Sequence, residues 1–86
     1  MSPTVYLLLS QKDKKSYLGS TDNLEKRLND HSFGKCKSTK NRRPLKLIYK
    51  EELKTLREAR IREKYLKSRK GRKELKNIFK NLDIGE

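Results

Sequence analysis

The sequence predicts an α+β fold of order β-β-α-β-α-α, a small three-stranded antiparallel sheet flanked by three helices. Three observations carry that expectation. Thr4-Val5-Tyr6-Leu7-Leu8-Leu9 is β-branched, aromatic and apolar, and a polar turn over Gln11–Lys15 separates it from a second short strand, Ser16–Ser20. Apolar residues at helical spacing begin at Leu24, Leu56 and Leu75. Between the first two of these runs, Leu45-Lys46-Leu47-Ile48-Tyr49 alternates and then turns apolar, as a third strand does. The 86 residues fit one domain, 1–86, with a thin core.

The first hairpin can be registered from its turn. Placing Ser10 opposite Lys15 sets Leu8 against Tyr17 and Tyr6 against Gly19. Tyr6, Leu8 and Tyr17 then share one face, and Val5, Leu7, Leu9 and Leu18 the other. Gly19 leaves room above Tyr6. A slip of one residue would separate the two tyrosines.

Asp22, with Glu25 three residues on, is the expected N-cap of the first helix, and Gly34 its expected end. Leu24, Arg27, Leu28 and His31 fall at i, i+3, i+4 and i+7, the arc that should face the sheet. Half of that arc is chargeable, which packing alone does not call for. The loop Phe33–Pro44 carries Lys35, Lys37, Lys40, Arg42 and Arg43, a composition suited to phosphate contact and equally to a solvated loop. Lys50–Lys54 is expected to lead out of the third strand.

Thr55 with Glu58 opens the second helix, which runs to about Ser68. Leu56, Ala59 and Leu66 form its apolar stripe, and Glu63 lies inside that stripe. Ile61 and Tyr65 fall on another side and are expected to meet the last helix. A rotated helix would instead leave Glu63 and Lys67 as a surface pair at i, i+4. Gly71 interrupts the pattern before Leu75, Ile78, Phe79 and Leu82 define the last amphipathic helix.

The net charge of +13 attracts polyanions. Nucleic acid comes first, because Lys and Arg gain affinity by releasing its condensed counterions; an anionic membrane and an acidic protein come next. The chain has no apolar run long enough to span a bilayer, and its start does not read as a signal peptide. The single Cys36 excludes an internal disulfide, and no Cys/His spacing suits zinc. These features predict a cytoplasmic protein, nucleoid-associated if it acts on DNA, with no membrane partner and Cys36 as a loop thiol.

Arg27, His31 and Glu63 thus sit on helix faces that should be apolar, beside a sheet face with two tyrosines. Such a grouping is costly unless its members pair or bind something. Here the chain resembles the GIY-YIG nuclease superfamily, its small single-domain bacterial branch. The second signature tripeptide stands as Tyr17-Leu18-Gly19, followed by Ser20-Thr21. Leu24–His31 resembles the family's helix, Lys40–Tyr49 the loop and third strand of the smallest members, and Glu58–Ser68 the segment with the metal-binding glutamate. The first tripeptide reads Thr4-Val5-Tyr6, keeping the tyrosine without the glycine. Asn77 and Asn81 match a further family asparagine by position alone, and no additional DNA-targeting domain is expected.

The resemblance implies a metal-dependent DNA endonuclease, structure-selective and suited to DNA repair or recombination, with Tyr6, Tyr17, Arg27, His31 and Glu63 catalytic. It implies one divalent cation on Glu63, Mg²⁺ or Mn²⁺, no small-molecule cofactor and DNA as partner; a monomer is favoured over an oligomer. Arg27 would hold the phosphate, a tyrosine (Tyr6 ahead of Tyr17) would act on water, and His31 would relay the proton. The metal, Arg27 and His31 would favour the ionised phenol. The alternative is a nucleic-acid-binding module on the same fold with little or no cleavage.

Overall fold

The computed structural model describes residues 2–37 and 39–82. Its elements are β1 (Thr4–Ser10), β2 (Ser16–Thr21), α1 (Leu24–Ser32), a 3₁₀ turn (Lys40–Arg42), β3 (Leu45–Glu52), α2 (Leu56–Lys67) and α3 (Gly71–Asn81). The three strands form one antiparallel sheet in the order β2-β1-β3. This is the predicted α+β fold.

β1 runs through the middle, and Val5, Tyr6, Leu7 and Leu8 are all buried. A central strand covered on both faces needs apolar residues at consecutive positions, which explains its unbroken apolar sequence. Val5, Leu7 and Leu18 pack with Ala59, Leu66, Ile78 and Phe79, and Ile48, Tyr49, Leu53 and Leu75 close the edges of that core. Burial of each such large side chain contributes roughly 1.5–3 kcal/mol. The other sheet face carries Tyr6 and Tyr17 and is covered by α1 through His31.

The β1–β2 register is the predicted one, with Leu8 opposite Tyr17 and Tyr6 opposite Gly19. β3 holds a bulge: Leu7 faces Tyr49 while Leu8 faces Leu47, so Ile48 is the extra residue. The bulge reverses the alternation, which is how both Ile48 and Tyr49 reach the α2–α3 core. It also explains why this strand's sequence turns from alternating to apolar.

Several expectations change. α1 is capped by Asn23, whose side-chain oxygen accepts from the Lys26 amide at 3.1 Å, while Asp22 stays exposed. Thr21 takes up the Asn23 amide at 3.1 Å, which shifts the helix start by one residue. β3 extends through Glu52 because β1 keeps pairing with it as far as Thr4. Ile61 and Tyr65 do not meet α3; they are 59% and 42% exposed. At 100° per residue Ile61 lies opposite Ala59 and Leu66 and Tyr65 well to one side of them, whereas Arg62 lies near them. Arg62 bridges Glu51 of β3, at 2.9 Å and 3.1 Å, and Glu74 of α3. Leu82 follows α3 and is 36% exposed.

Thr55 caps α2 as expected, accepting from the Glu58 amide at 3.1 Å. Phe33 caps the end of α1, with Gly34 in the left-handed region at φ 76°. Gly71 is buried as the first residue of α3, rather than only an interruption.

Candidate active site

The hairpin register, the helical spacing of α1 and the absence of a side chain at Gly19 together build a buried polar cluster. Tyr6 and Tyr17 lie on one sheet face with ring centroids 6.3 Å apart. Arg27 and His31, four residues apart on α1, both reach the Tyr6 hydroxyl: His31 Nε2 lies 3.0 Å from it and Arg27 Nε 3.4 Å. The His31 ring meets Tyr6 and Tyr17 edge-on at 5.8 Å and 5.1 Å. A Cβ at Gly19 would stand 2.6 Å from the Tyr6 hydroxyl oxygen, so only glycine lets this phenol fit.

Donor chemistry orders the cluster. Arg27 can only donate, so the Tyr6 oxygen accepts from it and the Tyr6 O–H is left to donate to His31 Nε2. His31 then carries its proton on Nδ1, which donates to the Thr39 hydroxyl at 2.8 Å. His31 and Thr39 are 1% and 0% exposed. Thr39 is a member of this network that the sequence did not reveal: it lies in a polar loop eight residues from its partner, and nothing in spacing links them. Cys36, expected as a loop thiol, is buried.

The electrostatics differ from the expected phenolate. Burial pushes Tyr6 up to about 12, with the Arg27 hydrogen bond only partly opposing it. Burial, then the Arg27 charge, lowers His31, so the resting imidazole is neutral at pH 7 and is not the cation expected beside the phenol. His31 is the only histidine in the chain, which makes its effect on stability separable. The unfolded chain takes up a proton near pH 6.5 that the native imidazole refuses until lower pH. Stability is therefore full above that value and falls as pH drops through the window below it. Melting temperatures between pH 7 and 5 should decline in the native protein and flatten in His31→Gln; parallel curves would remove the histidine from this role.

Glu63 stands apart from the cluster. Its Oε1 accepts from the Ser20 hydroxyl at 2.5 Å and its Oε2 from Lys67 Nζ at 2.6 Å. Ser20 follows Gly19, and strand alternation sends its side chain to the Leu18 face, toward α2. Glu63 thus approaches the edge strand from the face opposite the tyrosines, where Ser20 holds it. The i, i+4 pair with Lys67 is also made, so Glu63 keeps both readings open to it from the sequence. Among the described residues no group of three or more His, Cys, Asp or Glu could enclose a metal ion. One carboxylate does suit Mg²⁺, which keeps most of its waters and takes further oxygens from a phosphate. Lys67 is half-exposed and can turn to solvent, which would free Oε2 for such an ion while Ser20 keeps Oε1.

The loop cations divide. Arg42 donates to Asp13 and to the Ser16 carbonyl, both at 3.3 Å, and holds the loop to the hairpin. Arg43 donates to the carbonyls of Lys40 at 3.0 Å and Ser32 at 3.2 Å. Lys35, Lys37 and Lys40 are exposed. Both arginines therefore build the loop as well as charging it.

The sheet order β2-β1-β3 thus carries two tyrosines under an arginine and a histidine of α1, and the GIY-YIG catalytic domain family matches residues 2–77. The chain belongs to this family. It is 39% identical over 83 residues to a UPF0213 protein of Syntrophus aciditrophicus, covering 94% of this chain and 95% of that one. It is 46% identical over 61 residues to UPF0213 protein CPE1444 of Clostridium perfringens, covering 70% of this chain and 66% of that one. UPF0213 protein YazA of Bacillus subtilis is 43% identical over 63 residues, 72% of this chain and 64% of the relative. The chain thus spans about two thirds of the last two. No solved structure matches it, and no helix among the described residues is long and apolar enough to cross a membrane.

Proposed function

We propose that this protein is a metal-dependent DNA endonuclease in which Tyr6 and His31 move the proton of the attacking water. The Tyr6–His31 hydrogen bond of 3.0 Å, with Arg27 on the same phenolic oxygen, carries this reading. Arg27 is half-buried over Tyr6. When its guanidinium turns to the non-bridging oxygens of a phosphate, where charge grows, the Tyr6 hydroxyl is uncovered to the water beside it. A phenol that titrates at about 12 does not ionise alone at neutral pH. It passes its proton to neutral His31 Nε2 as it takes one from water, and Thr39 keeps hold of the Nδ1–H. The resulting hydroxide attacks phosphorus. Tyr17, half-buried beside both rings, walls the site.

Glu63 would hold Mg²⁺ or Mn²⁺, which supplies Lewis-acid stabilisation of the phosphate and the leaving oxygen. Ser20 orients that carboxylate. Repair or recombination intermediates are the substrates proposed for a domain this small, because a distorted duplex offers the phosphate without extensive base reading.

Nicking of plasmid and branched DNA with Mg²⁺ or Mn²⁺ tests this reading. Arg27→Ala is expected to lose roughly 10²–10³-fold in rate, the scale of one charge-stabilising donor, and Glu63→Ala to lose nicking altogether. Activity surviving both substitutions would remove the site. One observation favours a pure binding module instead: both Glu63 oxygens already have partners in the protein. Salt-sensitive DNA binding without cleavage on any substrate would select it.

A further inference from the structure

A cavity of about 500 Å³ lies between the β1–β2 turn, the end of α1 and the 3₁₀ turn, outside the tyrosine cluster. Lys12, Lys40, Asn41 and Arg43 line it, Pro44 and Leu45 add an apolar wall, and among the described residues none that lines it is acidic. This is the size of a small-ligand cleft. Three cations converging on one hollow make it an anion site by simple attraction.

Ser32 also lines the cavity, and the next residue, Phe33, is 72% exposed. Backbone bonds and the left-handed Gly34 already close the helix there, so the aromatic ring is not needed for its end. Arg43 donates to the Ser32 carbonyl at 3.2 Å and its guanidinium carbon lies 2.9 Å from where a Gly34 Cβ would be. The cation is thus held against both neighbours of the exposed ring. The wall is fixed by the Ser10 hydroxyl on the Arg42 carbonyl at 2.6 Å and the Gln11 amide on the Pro44 carbonyl at 2.8 Å. The buried His31–Thr39 bond fastens the same loop, one residue before Lys40, to the proposed relay.

We infer that this cavity takes an unpaired nucleotide of the DNA strand next to the bond to be cut, with Lys12, Lys40 and Arg43 on its phosphate and Phe33 stacked on its base. The assignment rests on the endonuclease reading and adds a substrate class to it. Duplex bases already stack on each other, so a protein ring gains only from a base that has left the stack.

The chain has no tryptophan, so Phe33→Trp places a lone tryptophan at the site, excited selectively over the tyrosines. Its emission is expected to be quenched on saturation with a short oligothymidylate and to change little with a blunt duplex. Phe33→Ala should weaken oligothymidylate binding, read by anisotropy, by roughly 5- to 150-fold. Lys12→Ala with Lys40→Ala should lower the slope of log affinity against log salt by about 1.4, as for two lost contacts to a single strand. These side chains are exposed, so unchanged melting temperatures are expected. Oligothymidylate bound with native affinity by Phe33→Ala, and without quenching Phe33→Trp, would overturn the cavity assignment and leave the endonuclease reading intact. Failure of the native chain to bind or nick any DNA would overturn both.

Discussion

Tyr6→Phe is expected to lower nicking by roughly 10²–10⁴-fold, the range for removing a positioned proton-transfer group. The ring stays, so packing against Tyr17 and His31 is kept. Only the hydroxyl is lost, and with it the acceptor for Arg27 and the donor to His31 Nε2. Leaving buried His31 Nε2 without a partner should cost about 1–3 kcal/mol of stability. The variant should therefore fold with a lowered melting temperature and be nearly inactive. Tyr17→Phe is the matched control, with a much smaller loss of rate. Nicking assays on both variants at temperatures where each is folded make the comparison. A native rate in Tyr6→Phe alongside an inactive Tyr17→Phe would transfer the water-activating role to Tyr17.

The largest expected stability effect lies far from this cluster. Gly71→Ala would place a Cβ 1.9 Å from the Tyr65 carbonyl oxygen and 2.7 Å from Leu66 Cα, and both are backbone atoms that no rotamer change can move. The turn between α2 and α3 must open, and with it the packing of Ile78 and Phe79 on Leu66. A loss of about 3 kcal/mol or more is expected, at the upper end for a point substitution. In a domain of this size that lowers the melting temperature by at least ~10 °C. Thermal unfolding followed by circular dichroism reads it directly. A melting temperature within a degree or so of native would mean that the two helices separate freely at this turn.

The two faces of the hairpin were legible because strand alternation has period two, so a turn of known length assigns every side chain from Val5 to Leu18. Arg27 and His31 were legible as a pair because four residues make about one helical turn. The stripe through Ala59 and Leu66 was legible for the same reason, and its phase also puts Ile61 and Tyr65 outside, though the sequence alone did not say which face α3 would take. The cap of α1 was misplaced by one residue because Asp22 and Asn23 are both good caps and only the Thr21 hydroxyl chooses between them.

Composition and periodicity by themselves determined the α+β order, the shared face of Tyr6 and Tyr17, and the charge that points to a polyanion. Those properties are local or additive, so a linear reading captures them. Only the tertiary structure decided that Thr39 completes the His31 network, that burial keeps Tyr6 protonated, and that Glu63 meets Ser20 on the face of β2 opposite the tyrosines. Each of these depends on which loop or helix closes over which sheet face, and on the solvent that closure excludes. The cavity lined by Lys12, Lys40 and Arg43 belongs with them, since three segments distant in the chain must meet before its cations share one space.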